Sequence, residues 1–214
     1  MISLLASVLL AAITANDAPA LLAENATASE IIAACRSLVP ERAVVSGRII
    51  YTRRKSIVTG KRAVDRDYRY RLSRIGKTTT LMMGPVDGGE LEVVTPPASG
   101  DMAIEGTGVN WSDLTLDYLW WDDVRFDPEQ KEETKTLFKC ARLLLTKGDR
   151  VIRLWVTYKH GAPIEAEELR GGKTVRKLWA SSIKSFSGRW MASRLEVQDM
   201  ETKRRTRITV EALD

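Results

Sequence analysis

The chain has 214 residues, 44% of them hydrophobic and 29% charged, a balance that supports one domain with its own core and carries no tract expected to stay disordered. The formal charge of +5 and the pI near 9.3 come from basic residues spread along the sequence instead of one block, which argues against a nucleic-acid-binding face. One histidine and two distant cysteines leave no paired spacing for a metal.

The chain begins with an almost unbroken apolar run, Ile2 to Ala15, followed by Asn16-Asp17-Ala18-Pro19-Ala20. About 20 apolar residues are needed to cross a bilayer, so this run is too short to span one. It fits the apolar region of a signal peptide, with small residues at Ala15 or Ala20 offering a cleavage site, although Met1-Ile2-Ser3 lacks the usual positive charge. A buried N-terminal helix is the alternative. Residues 1–20 are therefore expected to be a signal peptide and 21–214 a single exported domain. In an oxidising compartment Cys35 and Cys140 could close one long disulfide loop, or remain two buried thiols.

Thr27-Ala28-Ser29-Glu30 then forms a capping box, Ile31, Ile32, Cys35 and Leu38 share a helical face, and Pro40 stops the helix. From Ala43 the period becomes strand-like: Val45, Gly47, Ile49 and Tyr51 share a face, and Tyr68, Tyr70 and Leu72 alternate with Arg69, Arg71 and Ser73. Thr78 to Met83 and Glu90 to Val94 read as further strands. Asn110 or Ser112 opens a second helix, whose Leu114, Tyr118 and Trp121 lie together with Leu116, Leu119 and Trp120 beside them; a helix so apolar needs cover. Asp122-Asp123 ends it, and Asp127 to Thr134 reads as a polar loop.

Leu137 to Thr146, Asp149 to Lys159, Pro163 to Leu169, Lys173 to Lys184, Trp190 to Met200 and Thr206 to Leu213 follow as strands. The links carry turn chemistry at Lys147-Gly148-Asp149, His160-Gly161-Ala162, Gly171-Gly172 and Ser187-Gly188, and are short enough to force antiparallel neighbours. The expected fold class is mainly β (α+β), an antiparallel meander of roughly ten strands curled into a barrel or half-barrel with a few short helices. Arg53-Arg54-Lys55 and Lys203-Arg204-Arg205 fall at hairpin tips, where charge keeps a turn in water.

Catalytic motifs are missing. His160 sits in the turn Lys159-His160-Gly161-Ala162 with no evident tuning partner, and Asp122-Asp123, Glu165, Glu167 and Glu168 read as surface charge. The chain is expected not to be an enzyme and to need no cofactor. Its unusual feature is six tryptophans. Trp155 lies opposite the Ile152-Leu154-Val156-Tyr158 face, so both faces of that strand must meet apolar material, either protein or ligand.

The run Arg150-Val151-Ile152-Arg153-Leu154-Trp155-Val156, then Ala162-Pro163-Ile164-Glu165-Ala166, resembles the central hairpin of the outer-membrane lipoprotein-sorting proteins. Lys173 to Leu178, Gly188-Arg189-Trp190, Leu195 to Asp199 and Thr206 to Val210 continue the likeness, and Asn110-Trp111-Ser112-Asp113-Leu114 resembles the element preceding these strands. The resemblance covers Ala43 to Leu213 and rests on strands and turns. It implies an unclosed β-barrel whose open side is covered by helices, carrying the acyl chains of lipoproteins or lipids through the periplasm between membrane-associated partner proteins. The lipid-binding cavity would be lined by Leu114, Tyr118 and Trp121 from the helix and Tyr70, Ile152, Leu154 and Val156 from strands; plain core packing is the alternative role of each. A non-catalytic envelope sensor or scaffold with a filled interior is the alternative function. The few helices depart from the family, and its functional arginine has no evident counterpart.

Overall fold

The computed structural model describes residues 22–23, 25–76, 78–135, 137–186, 188 and 190–214, with residues 13, 14 and 189 described by their backbone. In chain order the elements are β1 (Ile13–Thr14), α1 (Ala28–Ser37), β2 (Arg42–Thr52), β3 (Val64–Ile75), β4 (Thr78–Pro85) and β5 (Glu92–Val94). Then come β6 (Ala103–Ile104), β7 (Val109–Asn110), α2 (Trp111–Thr115), a 3-10 turn (Asp117–Trp120), β8 (Asp123–Phe126) and β9 (Glu132–Lys135). A meander of β10 (Phe138–Lys147), β11 (Arg150–Thr157), β12 (Pro163–Arg170), β13 (Lys173–Phe186), β14 (Arg189–Asp199) and β15 (Arg205–Leu213) completes the chain.

Thirteen strands make one sheet in the order β5-β4-β3-β2-β15-β14-β13-β12-β11-β10-β8, with β1 added to β14 and β9 to β10. Every pairing is antiparallel, and the last strand, β15, pairs with β2. The end strands β5 and β8 do not meet, so the curled sheet remains an unclosed barrel.

Period-2 alternation explains why the sheet has one dry face. Across six successive pairings the register lines up Leu143, Leu154, Ala166, Leu178, Val197, Thr206 and Tyr51. All but Tyr51 are buried. The neighbouring row, Arg142, Trp155, Glu165, Trp179, Glu196 and Arg207, faces the other side. Ile31, Ile32 and Cys35 of α1 and Leu114, Leu116, Tyr118 and Leu119 from α2 and its 3-10 turn join the inner row in one core.

The capping box of α1 forms as expected: Glu30 N–H donates to Thr27 Oγ1 at 3.3 Å and Thr27 N–H to Glu30 Oε2 at 2.7 Å. Two local expectations need correction. The second helix is interrupted at Leu116, whose left-handed φ of 45° ends α2 before the 3-10 turn. The segment read as a polar loop contains β9, and Asp123–Phe126 is β8. Both pair with β10, and residues 127–131 bulge out between them. Their charged side chains hid them, because those charges serve the outer face.

β9 covers Trp155, and the bulge covers the arginines beside it. The indole Nε1–H donates to Glu133 Oε2 at 2.8 Å, and Lys135 Nζ lies 4.4 Å from the ring centroid. Asp127 accepts from Arg142 Nε at 2.8 Å and Arg153 Nε at 2.7 Å, and Glu129 bonds both guanidinium groups. Protein charge therefore covers the outer face of β11.

The cysteines, weighed as a disulfide, are both buried free thiols. Cys35 Sγ lies 2.9 Å from Gly161 O and Cys140 Sγ 3.4 Å from Phe138 O, so each is engaged with its own carbonyl. Burial raises both, Cys140 to about 11.

Candidate functional site

Where β12, β13 and β14 run under the 3-10 turn, the sheet leaves an apolar hollow of about 80 Å³. Tyr118 roofs it. Leu154, Ala166, Leu178, Ala180, Met191 and Leu195 line it, with Ile183 and Trp190 at its edge. The last two are half exposed, 51% and 50%, unusual for such large apolar side chains. Irregular pairing places them there: the β13–β14 register shifts between Ala180 and Ser182 and again between Ser182 and Ile183. β15 pairs with β14 only over Arg194–Gln198, which leaves this end of β14 clear of it.

Of the residues proposed from sequence to line a cavity, Tyr118 and Leu154 border this hollow. Leu114, Trp121, Ile152, Val156 and Tyr70 are buried in the common core instead. Tyr70 O–H donates to Thr209 O at 3.2 Å, so its hydroxyl is satisfied by the sheet itself. Ile183 and Met191 escaped sequence reading because the double register shift in β13 leaves no motif, and Leu178 and Leu195, read only as part of the family likeness, were not singled out as lining.

The covering segment, β7 through the 3-10 turn, is held by charged side chains from the sheet and α1. Arg176 Nε donates to Asp113 Oδ2 at 3.1 Å, and Arg176 Nη2 donates to Gly108 O at 2.8 Å. Asp113 also accepts from Asn110 N–H at 2.7 Å, a bond that starts α2. Arg36 of α1 donates to Leu119 O at 2.6 Å and Trp121 O at 3.1 Å. Arg150 stacks 5.2 Å from the Trp121 ring centroid.

Electrostatics follow this burial. Desolvation disfavours the Arg176 guanidinium, yet Asp113, with Glu168 and Asp199 adding to it, holds it above its ordinary value. Burial raises the Glu168 carboxyl, with Arg150 and Arg176 only partly opposing the shift. The Tyr118 hydroxyl is driven well up by burial, with Asp113 and Asp117 adding to it.

His160 sits in the β11–β12 turn, edge-on to Phe138 with centroids 5.9 Å apart, and burial with Lys159 lowers its pKa. Among the described residues no group of three or more His, Cys, Asp or Glu could hold a metal ion, and no helix is long and apolar enough to cross a membrane. The arrangement offers an apolar receptacle under an ion-paired cover.

An unclosed antiparallel barrel with helical cover defines the class, and solved structures share it. The chain is similar to a DUF1329 family protein from Desulfovibrio piger, with TM-score 0.61 and 13% identity over 86% of this chain and 90% of that one. A LolA superfamily protein from Nitrosomonas europaea gives TM-score 0.61 and 14% identity, over 88% and 93% of the two chains. A putative outer membrane lipoprotein-sorting protein domain from Vibrio parahaemolyticus gives TM-score 0.57 and 12% identity, over 81% and 84%. The chain thus has the lipoprotein-sorting fold that its strands and turns resemble. The model of a family described only as "Uncharacterized protein" matches residues 95–214, more than half of the chain, and the chain belongs to that family. No curated protein matches the sequence.

Proposed function

We propose that this protein is a non-catalytic periplasmic carrier that shields the acyl chains of lipoproteins or lipids, exported by a signal peptide within residues 1–20 and working as the single domain 21–214. The observation that carries the reading is the apolar hollow under the ion-paired cover, with Ile183 and Trp190 half exposed at its edge. Its free volume of about 80 Å³ equals only a few water molecules at about 30 Å³ each, so a whole acyl chain enters by displacing the cover. Tyr118 and Leu154 would touch the chain first; Leu114, Trp121, Ile152, Val156 and Tyr70 would meet it only once the cover moved.

Native mass spectrometry of protein purified without detergent from its producing compartment tests this. The expected result is a bound mass, extracted by organic solvent as lipid or acylated peptide, and its loss in Ala180→Phe, which fills the hollow. An unloaded mass that persists after incubation with phospholipid and acylated peptide would sink the carrier reading. It would favour a sensor or scaffold that binds a partner protein. A specific feature supports that second reading: Trp190 of β14 lies beyond the pairing with β15, where β1 adds as a short extra strand.

A further inference from the structure

The β2–β3 hairpin ends in a tip whose composition is at odds with a turn designed only for water. Ile57 and Val58 stand at its apex, 92% and 94% exposed, the two most exposed of the large apolar side chains described. Their display is built into the turn. Arg53 N–H donates to Ala63 O at 3.0 Å, Ser56 N–H to Lys61 O at 2.8 Å and Gly60 N–H to Ser56 O at 3.0 Å. Ser56 Oγ accepts from Thr59 N–H at 3.1 Å, and Gly60 takes the left-handed φ of 63° that closes the loop.

Behind the two aliphatic residues runs a collar of positive charge. Arg53, Arg54, Lys55, Lys61 and Arg62 all lie within the ten residues 53–62, which hold no acidic residue. The neighbouring β14–β15 turn adds Lys203 and Arg204. Arg62 ties the two tips together, donating from Nη1 to Lys203 O at 2.7 Å and to Arg53 O at 3.0 Å. The nearby acids are Asp65, paired with Arg53 at 3.1 Å and Arg204 at 3.5 Å, with Asp199 and Glu201 in the β14–β15 turn. Arg54, Lys55 and Lys61 remain exposed with no opposite charge among these contacts.

We propose that this double tip docks the protein on an anionic lipid bilayer, with Ile57 and Val58 entering the interface and the basic collar meeting lipid headgroups. A nucleic-acid surface would use the charge but gains nothing from aliphatic side chains at the foremost point. A bilayer uses both, because apolar groups enter the acyl boundary while Lys and Arg stay among headgroups. The proposal stands on the tip alone and does not depend on what the hollow holds.

The buried Cys35 and Cys140 allow a direct test with the full chain. A Val58→Cys variant carrying an environment-sensitive fluorophore is mixed with vesicles of phosphatidylcholine, or of phosphatidylcholine with about a third phosphatidylglycerol. A blue shift with the anionic vesicles, quenched by lipids bearing a nitroxide on the acyl chain, is expected. No shift with those vesicles, or a shift without quenching, overturns the proposal. In flotation assays Ile57→Asp/Val58→Asp is expected to weaken binding about a hundredfold, a loss that largely persists at high salt, and Arg54→Glu/Lys55→Glu at least about tenfold, a loss that shrinks at high salt. Both variants should keep the wild-type melting temperature, since the altered side chains are exposed. If the charge reversal releases the protein while the aspartate pair leaves binding intact, insertion is wrong and the tip is only an electrostatic contact. Tighter binding to duplex DNA than to anionic vesicles also overturns it.

Discussion

Replacing Arg176 with Met, Asp113 with Asn, and both together measures how firmly the cover is held. The Arg176 and Asp113 side chains are only 13% and 9% exposed, so neither charge is well hydrated. In Arg176→Met the Asp113 carboxylate keeps the Asn110 N–H at 2.7 Å but loses its counter-charge. Breaking a buried pair from one side typically costs about 3–5 kcal/mol, because an uncompensated charge stays behind. Asp113→Asn keeps an acceptor for Asn110 and Arg176, so about 1.5–3 kcal/mol is expected, the worth of hydrogen bonds to a charged group. The double variant carries no stranded charge and should be less destabilised than the sum of the singles by more than about 1 kcal/mol. Urea unfolding followed by tryptophan emission reads these differences as midpoint shifts at constant slope. Hydrogen exchange over residues 111–121 should accelerate in Arg176→Met before global unfolding does. If Arg176→Met stays within about 1 kcal/mol of wild type, or the two changes simply add, the pair does not hold the cover as described.

Gly47→Ala should fail outright, because a Cβ there would lie 1.8 Å from Thr209 O and 3.2 Å from the Tyr70 ring. Backbone cannot yield that much, so a loss of about 3 kcal/mol or more is expected in thermal unfolding, and a near-neutral result would refute the β2–β15 register. Burial works against the Asp127 carboxylate, but Glu129 N–H, Arg142 and Arg153 together hold it below its ordinary value. Its folded pKa is therefore lower than its unfolded one, and its contribution is present above about pH 4 and lost as pH falls through the folded value. The stability gap between wild type and Asp127→Asn should narrow as acid is added; a gap unchanged down to pH 3 would contradict this account. Cys35 and Cys140 should resist thiol reagents in the native protein and both react after denaturation, and a fast native reaction at either would show that its burial is wrong.

The meander was legible because most strands from Phe138 onward carry an apolar face of period two, and four of the five links between them are glycine turns. The capping box placed α1 by the same local logic. What escaped was set by pairing between distant segments. Glu132–Lys135 carries no apolar alternation, since its side chains answer Trp155 and Glu165 across the sheet. Leu116 gives no sign that it would adopt a left-handed φ. Tyr118 and Leu154 were identified as apolar residues on the correct faces, yet whether such a residue borders empty space or packed neighbours depends on register shifts in β13. The Arg176–Asp113 pair spans 63 residues, and neither partner sits in a motif that announces it.

The filled interior and the carrier reading become compatible once the cover is treated as an opposing load. Opening it strands the Arg176–Asp113 pair and breaks the Arg36 bonds to Leu119 and Trp121, a resistance of about 3–5 kcal/mol from the ion pair alone. Each methylene withdrawn from water returns about 0.8 kcal/mol, so about four to six of them balance that pair. A short acyl group would leave the cover shut, whereas a chain of membrane-lipid length exceeds the threshold with a margin that also covers the disrupted packing. An apolar core closed over itself, with Ile183 and Trp190 half exposed at the hollow's edge, is the arrangement such a threshold would require. In a carrier, such a cover would keep most of the apolar lining out of water until an acyl chain arrives.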